Sequence, residues 1–153
     1  METLLQELCK YLTADDWRYS SDQERGVLLT SVRGENTHYN CMFVATENPR
    51  RLTFYSHIGN EVPEIKRHRM CEFLTRANYG LVLGNFEMDL GDGEIRYRTS
   101  MDLTDEDLTH KQLMTLIWVN LFTFDRYYPG LMKIMYSNTS AQDAIAECER
   151  AVH

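Results

Sequence analysis

The sequence predicts an α+β domain built on a five-stranded antiparallel sheet with its helices packed on one face. Three strand-like segments follow one another with only short turns between them, and such short connections force antiparallel pairing. Two more strand-like segments share a turn later in the chain. Segments with apolar residues at helical spacing stand before, between and after these groups. The predicted order is therefore α-β-β-β-α-β-β-α-α, in a single domain over residues 1–153.

The composition is that of an acidic folded chain, with 43% hydrophobic residues and a formal net charge of -7. This charge argues against a nucleic-acid partner, because phosphate binding needs clustered Lys and Arg side chains. The four cysteines are scattered and none lies at metal-ligand spacing, so we expect no metal and no other cofactor. The most apolar run, residues 113–124, is too short to cross a bilayer, and the first residues lack the basic start of a signal peptide. We therefore expect a cytoplasmic protein without membrane contact.

The first half of the chain supplies one helix and three strands. The helix is indicated by five apolar residues at helical spacing, namely Leu4, Leu5, Leu8, Tyr11 and Leu12. Residues 19–25 are polar and predict a loop. Segments 26–32, 37–46 and 52–57 are rich in Val, Phe, Tyr and Thr, which favour strands. Both faces of the middle segment are partly apolar, which predicts a central position in the sheet.

A second helix is predicted from Val62-Pro63 to Asn78, because Pro is favoured in a first helical turn and Asn78-Tyr79-Gly80 is a typical stop. Its inner stripe is expected to contain Ile65, Met70, Phe73, Leu74 and Ala77. Two strands and their turn follow within residues 81–103.

The turn of this later hairpin is predicted at Asp92-Gly93, as a two-residue turn with positive φ. The register then pairs Leu90 with Ile95, Asp89 with Arg96, Met88 with Tyr97 and Glu87 with Arg98. This arrangement predicts one buried, apolar face of the hairpin and one exposed face of paired charges. Residues 85–107 carry eight acidic side chains against Arg96 and Arg98, so most of the net charge lies here. We interpret it mainly as surface charge and helix capping, with an acidic patch for a basic partner as the alternative.

A long helical pattern runs from about residue 108 to 136 and is expected to be interrupted at Tyr128-Pro129-Gly130. A last amphipathic helix is predicted over residues 141–152. The long helix has one apolar stripe for the sheet and a second that includes Met114, Trp118 and Phe122. Either the terminal helix, through Ala144, Ile145 and Cys148, or another subunit is expected to cover this second stripe.

No catalytic motif is present, so the candidate site residues are those suited to a protein partner. Tyr and Trp are enriched at protein interfaces, and the second helix carries a basic group. The predicted partner-binding residues are Trp118, Phe122, Tyr127, Tyr128, Lys66, Arg67 and Arg69. As an alternative, a small-ligand sensor or enzyme would have a pocket near Cys41, Tyr55 and His57.

The central part of the chain resembles the YbjN family, a group of proteins proposed to regulate sensory transduction in bacteria. The resemblance lies in a helix ending with the pattern F-L-x-R-x-N, a strand with G-x-F and a hairpin with D-G-x-I-x-Y. Here these positions are Phe73, Leu74, Arg76, Asn78, Gly84, Phe86, Asp92, Gly93, Ile95 and Tyr97. The resemblance implies the fold of class I type III secretion chaperones and a non-enzymatic, often dimeric protein that acts through protein contacts.

Residues and resemblance together favour a non-catalytic bacterial protein-interaction module, regulatory in role, with an unidentified protein partner and a homodimer as the expected assembly. Two alternatives stay open at this point: the small-ligand sensor or enzyme, and a chaperone-like protein that binds unfolded segments of other proteins.

Overall fold

The computed structural model describes residues 2–150 and confirms an α+β fold with an antiparallel sheet. The elements are α1 (Leu4–Ala14), β1 (Ser20–Asp22), β2 (Val27–Arg33), β3 (His38–Glu47), β4 (Arg50–Glu61), α2 (Arg67–Asn78), β5 (Asn85–Met88), β6 (Glu94–Asp102), α3 (His110–Tyr136) and α4 (Ala141–Arg150). A 3-10 turn over Glu64–Lys66 precedes α2. No helix within residues 2–150 has both the length and the hydropathy to span a bilayer.

The sheet has six strands in the order β1-β2-β3-β4-β6-β5, so the prediction of five strands is wrong. The additional strand, β1, lies in the segment predicted to be a loop. Its three residues are all exposed and polar, so they carry no apolar periodicity from which a strand could be predicted. Backbone pairing with β2, from Ser20 opposite Leu29 to Asp22 opposite Val27, defines the strand instead. The predicted interior position of β3 is confirmed.

One face of the sheet is buried and the other faces solvent. Along β4 the residues alternate between buried and partly exposed from Leu52 to Ile58, and β6 shows the same alternation from Glu94 to Thr99. The buried face is covered by α1, which contacts β3, and by α3, which contacts β4 and β6. Its fully buried aromatic side chains include Tyr39, Phe43, Phe54 and Tyr97.

A buried polar residue, Asn120, fixes α3 on this face. Its Nδ2 atom lies 3.0 Å from the carbonyl oxygens of both Phe54 and Tyr97. The hydroxyl group of Ser56 hydrogen bonds to the Oδ1 atom of Asn120. The amide therefore joins α3 to β4 and β6 at once, and its own polar atoms are satisfied within the core.

Helix α3 is continuous through Pro129, so the predicted interruption at residues 128–130 is wrong. Proline cannot donate to the carbonyl four residues earlier, which is that of Asp125. The side chain of Asn36 donates to this carbonyl instead, at 2.8 Å, and so replaces the missing donor. Next to Pro129, Gly130 leaves room for the ring of Phe73 and the sulfur of Cys148, because a Cβ there would lie within 2.7 Å of both.

The register of the later hairpin differs from the prediction by two residues. Met88 pairs with Ile95 and Glu87 with Arg96, and the turn is a longer one in which Gly93 donates to the carbonyl of Asp89. Leu90 therefore lies in the turn, 63% exposed, rather than opposite Ile95. A shift by two residues leaves each side chain on its predicted face, which is why the alternation alone could not reveal it.

Helix α2 begins at Arg67, after Pro63 and the 3-10 turn. Four members of its predicted stripe are buried, namely Met70, Phe73, Leu74 and Ala77, but Ile65 lies in the 3-10 turn and is 89% exposed. Residues 81–84 precede β5 as an irregular connection rather than a strand. The predicted end of the last helix at Val152 lies outside the described residues, of which Arg150 is the last in α4.

Candidate functional site

The side chains of Cys41, Tyr55 and His57 do not line one common pocket. Cys41 pairs with Ser56 and lies on the buried face, whereas Tyr55 and His57 alternate onto the outer face. Burial raises the pKa of the Cys41 thiol to about 12, so this sulfur is a protonated core atom rather than an activated nucleophile. The prediction of this pocket is wrong because it rested on closeness along neighbouring strands and ignored which face each side chain occupies.

Two of the predicted partner-binding aromatics, Trp118 and Phe122, form a row on the outer side of α3. Their rings are stacked with centroids 5.6 Å apart, and Trp17 approaches Trp118 at 6.3 Å. Phe122 is 68% exposed, whereas Tyr127 is 1% exposed and donates to a carboxylate oxygen of Glu149.

The second apolar stripe of α3 is only partly covered. Trp17 packs beside Trp118 in the first half of the helix. In the second half, Cys148 of α4 lies against the backbone of Tyr127, and Tyr128 is partly buried beside the core. Within the stripe, Trp118 is therefore covered by Trp17 and Phe122 stays exposed, whereas the contact of Cys148 in α4 is with Tyr127, outside the stripe.

The predicted basic group, Lys66, Arg67 and Arg69, does not converge on one point. Arg67 donates to the carbonyls of Val62 and Leu90 and thereby ties the start of α2 to the hairpin turn. Lys66 reaches the carbonyl of Ser137 at the end of α3. The Nη1 atom of Arg69 is buried without a partner among the described residues. Arg67 is thus chiefly a structural residue.

Part of the acidic segment is explained by local pairing. Glu87 contacts Arg96 at 2.7 Å and Arg98 at 3.2 Å, so one carboxylate serves two cross-strand arginines. Asp89 accepts from the backbone of Gly91, and Asp92 from that of Glu94, which stabilises the turn. No group of three or more potential metal ligands occurs within residues 2–150.

Exposed apolar side chains recur in the segments that precede and follow α2 and β5. Among the residues the structure describes, eight large hydrophobic side chains are exposed, and five of them lie in these segments: Ile65, Tyr79, Val82, Leu83 and Leu90. Ile65 and Leu90 lie at the start of α2 and the hairpin turn, while the other three lie in the connection from α2 to β5. We call this set the apolar edge. Sequence reasoning missed it because it assigned four of these residues to buried stripes or paired strands.

The backbone of β5 itself is protected against further pairing. The side chain of Asn78, the last residue of α2, donates to the carbonyl of Phe86 at 3.1 Å and accepts from its N–H at 2.7 Å. Asn85 and Glu87 form the backbone hydrogen bonds to β6, so the N–H and C=O groups of Phe86, between them, point away from β6. Without Asn78, these two groups could pair with another strand. Asn78 therefore occupies the place of a neighbouring strand.

This architecture, an antiparallel sheet with helices on one face, belongs to the class of type III secretion chaperone-like α+β folds. It is similar to ExsC in the crystal structure of the ExsC-ExsE complex, with a TM-score of 0.50, 14% identity, and coverage of 82% of this chain and 90% of that chain. The fold is also similar to that of YbjN from E. coli, solved as "a putative transcription regulator", with a TM-score of 0.58, 11% identity, and coverage of 79% and 85% of the two chains.

The sequence places the chain in a particular family. The family model YbjN, described as "Putative bacterial sensory transduction regulator", matches residues 4–132. The chain belongs to the YbjN family, as its resemblance predicted. No curated protein shows a sequence match to it.

Proposed function

We propose that this protein is a non-catalytic regulatory module that binds another protein through the apolar edge. The observation that carries the proposal is that five of the eight exposed large hydrophobic side chains of the described residues lie in the segments that border α2 and β5. Three of them, Tyr79, Val82 and Leu83, belong to one short connection, and exposed apolar clusters are typical of protein-binding surfaces. Val82 and Tyr79 are 92% and 90% exposed, so they contribute nothing to the core that would explain their presence.

The neighbouring charges suit a protein partner as well. Lys66 follows Ile65 in the 3-10 turn and Arg76 lies in the last turn of α2, and polar rims around apolar contacts are typical of interfaces. The likeness to ExsC supports the proposal at the level of fold, since ExsC was crystallised in a complex with ExsE. A cytoplasmic location is part of the proposal and rests on the sequence.

The proposal is tested by affinity purification from the native cell with quantitative mass spectrometry. We compare the unchanged chain with the double variant Tyr79→Ser/Val82→Ser, whose two sites are too exposed to affect folding. Phe122→Ser, on the aromatic row, is the matched control. Proteins retained by the unchanged chain and by Phe122→Ser but lost from the double variant support the proposal.

Two results overturn it. If the retained proteins are the same for all three chains, the apolar edge is not the binding surface. If they are lost only from Phe122→Ser, the partner binds the row of Trp118 and Phe122 instead, as the sequence suggested.

A homodimer through the same edge is a second part of the proposal. The basic side chains of α2 and the acidic side chains of the hairpin would face one another across a two-fold axis, because an isologous contact brings each patch onto its opposite. Sedimentation velocity at rising concentration tests this. A dimer that dissociates in the Tyr79→Ser/Val82→Ser variant is expected, and a monomer throughout the concentration series contradicts it.

A further inference from the structure

The outer face of the sheet has an apolar centre. Val27 pairs with Val44, and Met42 pairs with both Leu29 and Tyr55, so these five side chains form two adjacent rows across β2, β3 and β4. They alternate along the strands with the buried residues of the inner face, and Leu29 is 51% exposed. The solvated face of an antiparallel sheet is ordinarily polar. The core of one chain therefore does not explain these rows, which we call the sheet patch.

The residues around the sheet patch have the composition of an interface. The guanidinium group of Arg96 lies over the ring of Tyr55, 4.1 Å from its centroid, and Arg98 pairs with Tyr55 from the next strand. Tyr, Met and Arg are enriched where proteins meet, whereas Lys is depleted. None of the six described strands contains a lysine. The composition thus favours a covered face over a solvated one.

The outer face is also nearly neutral, in contrast to the chain as a whole. The register assigns four arginines and five acidic residues to it, which gives a formal charge of -1 out of the -7 of the chain. These residues are Arg33, Arg51, Arg96, Arg98, Asp22, Glu61, Glu87, Glu94 and Asp102. Two copies of an acidic chain repel each other least where they carry the least net charge. A second copy is therefore better tolerated at this face than elsewhere.

A two-fold axis matches the sheet patch to itself. The axis lies in the plane of the sheet, across the strands, between the row of Val44 and the row of Met42. Each strand then runs over its own copy in the opposite direction, so Val44 faces Met42 and Val27 faces Leu29 of the other chain. Two sheets pack face to face with their strands within about 30° of each other. Such a contact is isologous and closes as a dimer.

The same axis brings opposite charges together. Arg96 and Asp102 are outer-face residues of β6, each three residues from Thr99 and on opposite sides of it. The two-fold operation exchanges these positions, so Arg96 of each copy faces Asp102 of the other. Within one chain the two residues are six positions apart along a strand, or about 20 Å, and cannot pair. Their complementarity is therefore available only between two copies.

The face is large enough for a weak specific contact. The sheet is six strands wide at about 4.8 Å between strands, and β2 is seven residues long at about 3.3 Å per residue. These dimensions give about 500 Å² on each copy. A specific interface buries about 500 Å² or more on each partner, and a typical stable one about 800 Å². We therefore expect a reversible dimer.

We propose that the outer face of the sheet is a contact between two copies of this chain, packed face to face about a two-fold axis across the strands, with Arg96 of each copy against Asp102 of the other. This contact goes beyond the proposed function, because it uses a surface other than the apolar edge. Where both surfaces associate, the assembly is larger than a dimer.

The test measures association by sedimentation equilibrium in the Tyr79→Ser/Val82→Ser chain, so that the apolar edge does not contribute. This chain is expected to dimerise. Adding Met42→Asp places two carboxylates close to the axis and is expected to weaken the dimer by about tenfold or more. Adding Phe122→Asp, the same kind of change on the outer side of α3, is the control and is expected to leave the dimer unchanged.

Charge reversal gives a second measurement that a folding defect cannot imitate. Arg96→Asp and Asp102→Arg each place like charges against one another twice in the dimer, so each variant alone is expected to dimerise about tenfold more weakly. In a mixture of the two variants, Asp at position 96 of one chain faces Arg at position 102 of the other. The mixture is therefore expected to recover the dimer.

Three results overturn the inference. The first is a chain that stays monomeric in the Tyr79→Ser/Val82→Ser background, and the second is a dimer that Met42→Asp leaves intact. The third is a mixture of the charge variants that associates no better than either variant alone. Capture of native partners through Tyr79 and Val82 is measured separately, so the proposed function stands or fails independently of these results.

Discussion

Asn36 donates two hydrogen bonds to Asp125, one from its side chain and one from its backbone. The side chain of Asn36 donates to the backbone carbonyl of Asp125, and the backbone N–H of Asn36 donates to the Asp125 carboxylate at 3.1 Å. The same carboxylate accepts from the backbone of Glu35 and, at 2.6 Å, from the hydroxyl group of Tyr39. The turn between β2 and β3 is therefore held on α3 at the point where Pro129 removes a helical hydrogen bond.

Replacing Asp125 is expected to lower stability strongly. Asp125→Ala removes an acceptor used by three donors, one of them from the buried Tyr39, and hydrogen bonds to a charged group contribute about 1.5–3 kcal/mol each before relaxation. We expect a loss of about 2–4 kcal/mol in the free energy of unfolding by urea. Asp143→Ala, in the first turn of α4, is the control and is expected to cost under about 1 kcal/mol. Equal losses in the two variants would contradict the role given to Asp125.

The hydrogen bond between Ser56 and Asn120 predicts that the effects of replacing these two residues on stability are coupled. Asn120→Leu leaves the buried hydroxyl group of Ser56 without its partner, and an unsatisfied buried polar group costs about 1–3 kcal/mol. Adding Ser56→Ala removes that hydroxyl group, so the double variant is expected to be less destabilised than the sum of the two single variants. A double-mutant cycle by urea unfolding measures this difference. Additive losses would show that the two side chains act independently.

The protection of β5 by Asn78 predicts a change in association. Asn78→Ala exposes the N–H and C=O of Phe86, which is expected to cost about 1–2 kcal/mol of stability and to increase self-association through the strand edge. Sedimentation velocity together with urea unfolding checks both effects. Asn138→Ala, at an exposed position, is the matched control and is expected to change neither. Unaltered association in Asn78→Ala would show that other features protect this edge.

Alkaline pH is expected to destabilise the fold. Burial, with help from the hydrogen bond to Glu149, raises the pKa of Tyr127 to about 12, and burial raises that of Cys41 to about 12. Burial and then Asp125 also raise the pKa of Tyr39 well above its ordinary range. In the unfolded chain these groups lose their protons near pH 8.5 to 10, whereas the folded state keeps them, so stability falls as pH rises through about 9 to 12. The effect is absent below about pH 8.

Urea midpoints across this pH range, with tyrosinate absorbance as the second signal, measure the loss. Tyr127→Phe removes one of the titrating groups, so its stability is expected to fall less steeply with pH than that of the unchanged chain. The same slope in both proteins would contradict the assignment to Tyr127.

The cysteines are expected to divide into two reactivity groups. Cys41 and Cys148 are 2% and 5% exposed, and burial raises the pKa of both thiols, whereas Cys9 and Cys71 are partly exposed. Alkylation under native conditions, followed by mass spectrometry of the peptides, is expected to modify Cys9 and Cys71 first. Cys41 and Cys148 are expected to react only after unfolding. Rapid native alkylation of Cys41 would indicate an opening of the core.

Much of the fold follows from side-chain periodicity. The strands β3 and β4, predicted from their Val, Phe, Tyr and Thr content, and the helical stripe of Met70, Phe73 and Ala77 depend on nearby residues only, and these predictions are confirmed. Other features depend on distant partners. The strand β1 exists because β2 offers it a backbone edge, and the helix passes Pro129 because Asn36, far away in the sequence, replaces the lost donor.

The candidate site was harder to predict for a related reason. Ile65, Val82 and Leu83 are aliphatic residues of the kind that usually lie in the core. They are exposed because of the path that the chain takes through the 3-10 turn and around Gly84. Conversely, Tyr127 is of a residue type that is common at interfaces, but it is buried in the core against α4. Exposure of an apolar side chain is a property of the assembled fold, so no local pattern distinguishes these cases.

The cover of the sheet by α3 has a consequence for synthesis of the chain. β4 is complete at Glu61, but α3, which covers its inner face, begins only at His110. At a translation rate of about 5–20 residues per second, the ribosome needs several seconds to supply that helix. During this interval Leu52, Phe54 and Ile58 of β4 form an apolar surface on the nascent chain that α3 does not yet cover. Protection of the growing chain by cellular folding factors is therefore most needed between the emergence of β4 and that of α3.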